Sequence, residues 1–579
     1  MNSSTKKWFG FNANADAYLL VLTDSPLILK KAQGVSAEFK LALVSSEEPI
    51  VLPKKSDILW SRCLNRMAHV GLDKVDPPNQ LEKNVQQKGG SFHSLESFVC
   101  LFSGGYECLS DFWGINTHYW FQDKDSFICS NNILFVARVI EASLSLDGIY
   151  EALFFNAPLS CTWFDRVNCL NAGEKLTYTR GSHMVKVSTS PVQDRLNNLP
   201  EVSLVESANE FFEKVKHTFS GRDCYLCLSA GSDTRTILAC MRNKHIRVKA
   251  VSFGSDTYKE TVLIKKLVQR YKVPWSLVNL NGFENDWVRL VTRSIVEGNG
   301  LLNASRLHYF RLYDFLPSGS PTFEGILGSE LVKGEISFGA IITDSHRAVI
   351  VEGMSIEKAL KKNYPEVPED FCKSAALYLT EKFSGTLRHI ETEDGRRDFV
   401  QYALEYIPSK MFSGLVHVAQ THHEMYYPFL SPLIISAIFR SGYGVANSVN
   451  LRKDFDPYRS IIAQSKIVQF MDKELYRTLL DRRMTFEEAE KGNNIVFKVK
   501  RKYRGAVDLI KYSGYYKRDQ VDNSLLNTLK RKELETSGPH DSIFPVKISN
   551  ESNFRLIDLL LNLQFLKDAV KVPFGSLGS

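Results

Sequence analysis

Two apolar segments near the middle of the chain are each followed by a segment with helical spacing. The first, CYLCL at residues 224–228, ends in the loop SAGSDT, and an apolar helix-like stretch follows at once. The second, RVKAVSFG at residues 247–254, precedes a stretch whose apolar residues recur at three- and four-residue intervals. Strands that alternate with helices favour a parallel sheet covered by helices on its faces. We therefore predict an α/β fold.

The pattern changes on both sides of this region. From the start to about Arg180 the chain has short, alternating apolar segments separated by Gly, Asn and Asp, which is typical of β-rich structure. Beyond Asp370 the spacing is mostly helical. Because 579 residues exceed one ordinary core, we predict two domains, residues 1–190 and residues 200–579, the second with a helical C-terminal part.

Composition limits the classes of partner. With 44% hydrophobic and 24% charged residues the chain has the balance of a soluble globular protein. A net charge of +7 over this length is weak evidence for nucleic acid, which we do not expect as a partner. No apolar run approaches the ~18 residues that span a bilayer, and the N-terminus lacks an apolar signal segment, so we expect no membrane partner and a cytoplasmic location.

The ten cysteines do not form a pattern typical of a disulfide framework. Cys224 and Cys227 spell CxxC, the spacing of many zinc and redox pairs. Both lie inside an apolar run whose side chains alternate between faces, and no second ligand pair follows. We therefore expect buried structural thiols here.

The loop at residues 229–234 joins a predicted strand to a predicted helix. At such a position backbone N–H groups and hydroxyls meet the positive end of the helix dipole, which favours an anion such as phosphate. The loop has neither the lysine of a Walker A motif nor the three glycines of a dinucleotide fingerprint. The alternative is an ordinary helix start capped by Ser232 or Asp233, and the loop alone leaves both interpretations open.

Three further segments follow in an order that resembles the asparagine synthetase family. The loop itself resembles the SGGxDS pyrophosphate loop of N-type ATP pyrophosphatases, with Ala230 in place of the first glycine. SFG at residues 252–254 resembles the adenosine-contacting turn, and GILGSELVKG at residues 325–334 resembles a second loop that reads roughly SGxGxDExxGG. EMYYPFLS at residues 424–431 resembles the ExRxPFLD element. The resemblance covers residues 85–450.

The resemblance implies a domain like the adenine nucleotide alpha hydrolases and formation of an amide bond. ATP would convert a small-molecule or peptide carboxylate to an acyl-adenylate with release of pyrophosphate, and an amine would then displace AMP. It further implies that Asp233 and Glu330 carry Mg²⁺, which prefers oxygen ligands. Catalytic roles would fall to Glu330, Glu424 and Lys491. The residues implied to bind ATP and pyrophosphate are Ser229, Ala230, Gly231, Ser232, Asp233, Thr234, Ser252 and Gly254.

Some of these roles have alternatives in the sequence. Glu330 also fits a carboxylate at a helix start, and Lys491 also fits an exposed loop lysine, with Arg483 as its rival for the late cation.

The N-terminal region resembles the glutaminase domain of the same family, a β-rich sandwich of the Ntn-hydrolase type. Asp111, Trp113 and Gly114 match a turn of that domain. Working glutaminases of this kind begin with a nucleophilic cysteine, whereas the first sixty residues here contain none; Ser3, Ser4 and Thr5 would be the substitutes. We therefore do not expect glutamine as nitrogen donor, and the chain is similar in this to β-lactam synthetases and lasso peptide cyclases.

Two other functions remain open. A catalytically inactive nucleotide-binding or scaffold protein is favoured by Ala230, Ser329 and Ser431, which replace the usual residues of the motifs. An RNA-modifying enzyme of the same fold would use the basic, tyrosine-containing stretch at residues 498–532, which also fits a solvated helical surface. The oligomeric state is left open, a homo-oligomer included.

Overall fold

This computed structural model describes residues 110–444, 461–511 and 554–571, and, of residues 1–109, positions 27, 30 and 31 and the strand residues given below. Short gaps within these ranges are residues 117, 125, 180–183, 189, 257, 281–285, 303–305, 335–341 and 493–494. Ser3, Ser4, Thr5 and residues 512–532 of the basic stretch lie outside the described residues.

The N-terminal region contains two antiparallel sheets. Their strands are β1 (Lys6–Asn12), β2 (Ala17–Thr23), β3 (Ala42–Ser45), β4 (Asp57–Arg62), β5 (Ser97–Phe102), β6 (Gly105–Leu109), β7 (Tyr119–Gln122), β8 (Ser126–Ser130), β9 (Asn168–Cys169), β10 (Lys175–Thr179) and β11 (Met184–Ser188). The strand orders are β3-β1-β2-β8-β7-β9 and β11-β10-β6-β5-β4. The Phe127 ring of β8 stacks on the Tyr178 ring of β10 at 4.8 Å, so the two sheets pack face to face there.

Two helices interrupt this β-rich region. Helix α1 (Ile133–Ile140) begins at Asn132, whose side chain accepts a hydrogen bond from the Leu134 amide, and α2 (Leu146–Phe155) begins at Ser145 in the same way. Both helices are almost entirely buried. Because an apolar run of this length fits a buried helix as well as a strand, the strand prediction for the region missed them.

The middle of the chain forms a five-stranded parallel sheet. Its elements are α3 (Val192–Asn197), α4 (Leu204–Thr218), β12 (Cys224–Cys227), α5 (Ser232–Asn243), β13 (Val248–Gly254), α6 (Lys259–Tyr271), β14 (Trp275–Asn279), α7 (Trp287–Glu297), α8 (Tyr309–Phe315), β15 (Pro321–Phe323) and β16 (Glu424–Tyr426). The strand order is β14-β13-β12-β15-β16, and every neighbouring pair is parallel. The predicted α/β class is confirmed.

The rest of the described chain is helical, as predicted beyond Asp370 except for the short strand β16. Its helices are α9 (Asp344–Ile350), α10 (Ile356–Asn363), α11 (Glu369–Phe383), α12 (Glu393–Tyr406), α13 (Ser413–His422), α14 (Pro432–Arg440), α15 (Ile462–Met471), α16 (Lys473–Tyr476), α17 (Phe486–Glu490), α18 (Ile495–Lys511) and α19 (Phe554–Lys571). Two π-helical turns, Gly328–Val332 and Ile407–Phe412, border the sheet region.

The N-terminal and central regions pack on one another through a shared hydrophobic core. The Trp113 indole donates a hydrogen bond to the Leu430 carbonyl at 2.6 Å, and a His417 ring nitrogen lies 2.8 Å from the Ile115 carbonyl. The division near residues 190–200 stays a prediction. Within the described residues, the helices are all too short or too polar to cross a bilayer.

Candidate functional site

A cavity of about 300 Å³ opens at the carboxyl edge of the parallel sheet. Loops at this edge connect strand ends to helix starts, and ligands of open α/β sheets bind there. Its lining includes the loop after β12, the end of β13 and the segment after β15. The lining residues are Cys227, Leu228, Ser229, Asp233, Thr234, Val251, Ser252, Phe253, Glu260, Ile264, Arg306, Tyr309, Glu324, Gly325, Ile326, Leu327, Ser329, Glu330, Phe412 and Leu415.

Hydroxyl groups shape the loop between β12 and α5. The Ser229 amide donates to Thr234 Oγ1 at 3.0 Å, and the Ser229 and Thr234 hydroxyls lie 3.0 Å apart. The Gly231 amide donates to Ser229 Oγ at 3.3 Å. Helix α5 begins after Gly231 without a side-chain cap, so the expected alternative of a cap by Ser232 or Asp233 is wrong. The helix start therefore keeps the electropositive character that favours an anion.

The Asp233 carboxylate is surrounded by hydrogen-bond donors. Lys333 Nζ and the Ser329 hydroxyl each lie 3.1 Å from Asp233 Oδ2. The Gln464 side-chain amide of α15 donates to Asp233 Oδ1. Lys333 Nζ also lies 3.4 Å from Ser232 Oγ. Because the Lys333 side chain is only 4% exposed, this ion pair is largely shielded from water.

The π-helical turn Gly328–Val332 lies close against Asp233. Leu327 enters the turn at a φ of 65°, and a methyl group on Gly328 would lie only 2.7 Å from the Asp233 carboxyl carbon. A larger residue at position 328 would therefore collide with the carboxylate. π-helical turns are rare in proteins, and those that occur are often found at functional sites. This turn carries Ser329 and Glu330, and Lys333 lies at its end.

Glu330, one of the predicted site residues, is buried and lines the cavity. Burial raises the pKa of its carboxyl to about 7, the nearby Asp233 charge also raises it, and Arg306 and Lys333 lower it. Arg306 is held in place because its guanidinium donates to the Met411 carbonyl at 3.0 Å and stacks 4.5 Å over the Phe412 ring. The cavity therefore has a carboxyl poised near neutral pH beside a fixed cation.

Glu324, which the sequence interpretation missed, is a second buried carboxyl in the cavity wall. Burial raises its pKa to about 7, while hydrogen bonds from the Cys227 thiol and the Tyr313 hydroxyl lower it. The Tyr313 hydroxyl lies 3.4 Å from both carboxylate oxygens. Cys227 therefore contacts a cavity carboxylate, while Cys224 is buried within β12. Glu324 directly follows β15, and this position was the sequence signal that could have identified it as a site residue.

Of the predicted adenosine-contacting turn at residues 252–254, Ser252 and Phe253 line the cavity and Gly254 does not. Ser252 lines the cavity, but its hydroxyl donates to the Leu228 carbonyl at 2.6 Å and accepts from the Trp275 indole at 3.2 Å, so it ties neighbouring strands together. Gly254 ends β13 at a φ of +149°, where an added methyl group would lie 3.2 Å from Thr261 Oγ1.

The structure brings together the loop residues Ser229, Asp233 and Thr234 with Glu330, and Ala230, Gly231 and Ser232 complete the loop between them. The Ala230 amide donates to Glu260 Oε1 of α6 at 3.3 Å, so this carboxylate helps to hold the loop.

Glu424 is not brought to this edge of the sheet. It is the first residue of β16, pairs with Pro321 at the start of β15, and its carboxylate lies 3.0 Å from Arg222, which precedes β12. Because the strands are parallel, Glu424 lies at the amino edge, opposite the cavity.

The late cations also lie elsewhere. Lys491 follows α17, is more than half exposed, and its Nζ lies 2.9 Å from Glu487 of the same helix. Arg483, its rival, is not among the residues that line the cavity, and its guanidinium lies beside Gly505 of α18. Arg306 and Lys333 are the cations that reach the site instead. In the segment at residues 325–334, Lys333 replaces the first of the two final glycines of the motif SGxGxDExxGG. This replacement was the only sequence signal that pointed to Lys333.

The carboxylates present do not fit a magnesium ion held by the protein. Both oxygens of Asp233 already receive hydrogen bonds, one of them from an ammonium group. Across the described residues, no group of three or more His, Cys, Asp or Glu side chains is arranged to hold a metal. Of the two expected metal ligands, Asp233 is a carboxylate neutralised by Lys333, and Glu330 is a buried carboxyl.

A comparison of the chain with models of known protein families gave no match, and a comparison with curated proteins gave no significant match.

Proposed function

We propose that the chain forms an amide bond at the expense of ATP. A substrate carboxylate would be activated as an acyl-adenylate, pyrophosphate would leave, and an amine would attack to release AMP. The observation that carries this proposal is the convergence at one cavity of an uncapped helix start with its hydroxyl-rich loop and two buried carboxyls. The substrates would be a small-molecule or peptide carboxylate and an amine.

The proposed architecture follows from the same reasoning. The parallel sheet would be an ATP pyrophosphatase domain of the adenine nucleotide alpha hydrolase type, and the antiparallel sheets a degenerate Ntn-type domain. Support comes from the position of the loop directly after β12, a central strand of the parallel sheet.

The cavity residues divide into three roles. The loop at residues 229–234 and the start of α5 would bind the phosphate groups. The rings of Phe253 and Tyr309, whose centroids lie 5.2 Å apart, offer an apolar wall for the adenine. Glu324 and Glu330, with pKa values of about 7, could accept the proton that an attacking amine must lose. Magnesium would enter with the nucleotide phosphates that it neutralises.

The test is ATP binding by calorimetry together with pyrophosphate release over a panel of amino acids, diamino acids and small peptides. We expect release with at least one substrate and a large loss of rate in Glu330→Gln, since this variant cannot accept a proton. Asp223→Asn, an exposed carboxylate paired with Lys249, serves as the matched control. Folded protein that binds no ATP would overturn the proposal.

One observation favours a second candidate, a catalytically inactive nucleotide-binding protein. The donors that surround Asp233 leave it less available to a metal ion that would bridge it to a reacting phosphate chain than an open carboxylate would be. ATP binding without pyrophosphate release on any substrate of the panel would support this candidate over the first.

A further inference from the structure

A buried ammonium group on Asp233 changes what the site requires. Lys333 Nζ lies 3.1 Å from Asp233 Oδ2, and its side chain is 4% exposed. A buried lysine needs a counter-ion, because desolvation of an unpaired charge is costly. Asp233 supplies it, so the carboxylate that a metal would use is already neutralised by the protein.

A divalent cation on the same carboxylate would meet two obstacles. It would lie within a few ångströms of the Lys333 charge in a region with little water to screen the repulsion. It would also have to displace the Ser329 hydroxyl and the Gln464 amide, which donate to the two oxygens of Asp233. The arrangement therefore disfavours a metal at this position.

The lysine also removes an obstacle to an anion. Asp233 lies in the first turn of α5, where a bare carboxylate would repel incoming phosphate groups. With Lys333 in contact, an anion approaching the helix start meets a neutral pair. We propose that Lys333 is the fixed counter-ion of Asp233 and takes the place of a protein-held magnesium ion, so that the loop accepts phosphate groups with no metal on Asp233. The second half of this inference rests on the proposed function.

The first experiment measures Mn²⁺, a spectroscopic substitute for Mg²⁺, on the nucleotide-free protein by electron paramagnetic resonance. The wild-type chain and Asp233→Asn should bind Mn²⁺ equally weakly. Lys333→Met should bind Mn²⁺ about tenfold more tightly or better, because the freed carboxylate loses its competing charge. The double variant Lys333→Met/Asp233→Asn should lose that gain.

Lys244→Met is the matched control. Lys244 caps the other end of α5, is mostly buried, and its Nζ lies 2.7 Å from Glu213. Removing this pair should leave Mn²⁺ binding unchanged. The inference is overturned if the wild-type chain binds Mn²⁺ tightly and Asp233→Asn abolishes that binding, a result that does not depend on Lys333→Met folding.

Calorimetry with ATP in EDTA then separates this inference from the proposed function. We expect wild-type binding in EDTA, weaker binding by Lys333→Met, and recovery of that variant on adding Mg²⁺, which loss of a purely structural residue would not give. Binding by the wild-type chain only when Mg²⁺ is present, with this Mg²⁺-dependent binding lost in Asp233→Asn, would place the metal on Asp233, overturn the inference and leave the proposed function standing. Absence of ATP binding in both buffers would overturn the proposed function, while the Mn²⁺ result still decides the role of Lys333.

Discussion

The two edges of the parallel sheet carry the same kinds of charged pair in opposite surroundings. At the amino edge Arg222 lies 3.0 Å from Glu424 and Lys249 lies 2.7 Å from Asp223, and the cations are 48% and 45% exposed. At the carboxyl edge Lys333 lies 3.1 Å from Asp233 and is 4% exposed. The distances between the charged atoms are similar at the two edges, so the pairs differ mainly in their exposure to water. Screening leaves exposed pairs nearly neutral for stability, whereas shielded pairs have large effects when one partner is removed.

Acid strength follows the same division. A hydrogen bond from Lys249 lowers the pKa of the exposed Asp223 carboxyl. Burial raises the pKa of Glu324 and Glu330 to about 7 at the other edge. Perturbed carboxyls that line a cavity are candidates for proton transfer, and a carboxylate stabilised in water is not. The comparison therefore teaches that burial, more than residue type or pairing distance, separates the candidate site from the surface.

The largest expected effect comes from breaking the shielded pair. Asp233→Asn removes the carboxylate that lies 3.1 Å from the buried Lys333 ammonium, and we expect the free energy of unfolding to fall by about 4 kcal/mol. Urea denaturation of the variant and the wild type measures the difference. Asp223→Asn at the opposite edge should cost much less, because Lys249 stays in water. Equal losses for the two variants would remove the distinction between the edges.

The next effect is a pH dependence carried by Glu324. Its folded pKa of about 7 lies above the ordinary value of 4.5, so its stabilising contribution is complete below pH 4.5 and is lost as the pH rises through 7. Each unit of this interval corresponds to about 1.4 kcal/mol. Glu324→Gln mimics the protonated form, and its stability relative to the wild type should rise by roughly 3 kcal/mol between pH 4.5 and 8.

Denaturation curves at several pH values measure this dependence. Asp223→Asn is the control: because the pKa of Asp223 is lowered from 3.8 in the folded state, its contribution changes only at lower pH, and the stability of this variant relative to the wild type should stay constant between pH 4.5 and 8. If Glu324→Gln and the wild type lose stability in parallel with pH, the carboxyl at position 324 is not the group that titrates.

The local sequence pattern was sufficient to predict the secondary-structure elements that carry the site. The strand, loop and helix at residues 224–243 follow from the apolar run and the change of period, because each signal lies within a few residues of the element that it specifies. Lys333 and Gln464 reach Asp233 across 100 and 231 residues. No local signal records such contacts, which arise from how helices pack around the sheet.

Strand direction explains the separation of Glu424 from the site. The motif segment that carries it runs along β16, and only residues after the strand reach the carboxyl edge. The resemblance singled out this segment as a candidate but did not indicate which of its ends faces the cavity. Glu324, in contrast, follows β15 directly, and knowledge of the sheet order would have placed it correctly.

A third effect distinguishes the edges through their glycines. Gly328→Ala should lower the free energy of unfolding by about 2 kcal/mol, because the new methyl group would lie 2.7 Å from the Asp233 carboxyl carbon. Gly319, whose carbonyl accepts a hydrogen bond from Arg222, is the control. Its alanine variant meets no atom within 4 Å and bears only the strain of a φ of +67°, about 1 kcal/mol.

The readout that separates the two glycines is ligand binding. Gly328→Ala should also weaken ATP binding, since it displaces the carboxylate beside the loop, and Gly319→Ala should not. Loss of ATP binding in both variants would point to a general defect in folding and would contradict a local effect at the carboxyl edge.

The smallest effect is expected for Glu424→Gln. The glutamine carbonyl can still accept the hydrogen bond from Arg222, and the glutamine amide can donate to the Tyr426 hydroxyl, which lies 3.3 Å from the other carboxylate oxygen. Only the charge is lost, and an ion pair whose cation is exposed contributes at most about 1 kcal/mol. That difference should disappear in 1 M salt, where the screening length falls to about 3 Å. Pyrophosphate release should be unchanged, because Glu424 lies at the edge opposite the cavity. A loss of stability that survives high salt, or a loss of activity without unfolding, would mean that the amino edge takes part in the site and that burial alone does not separate the two edges.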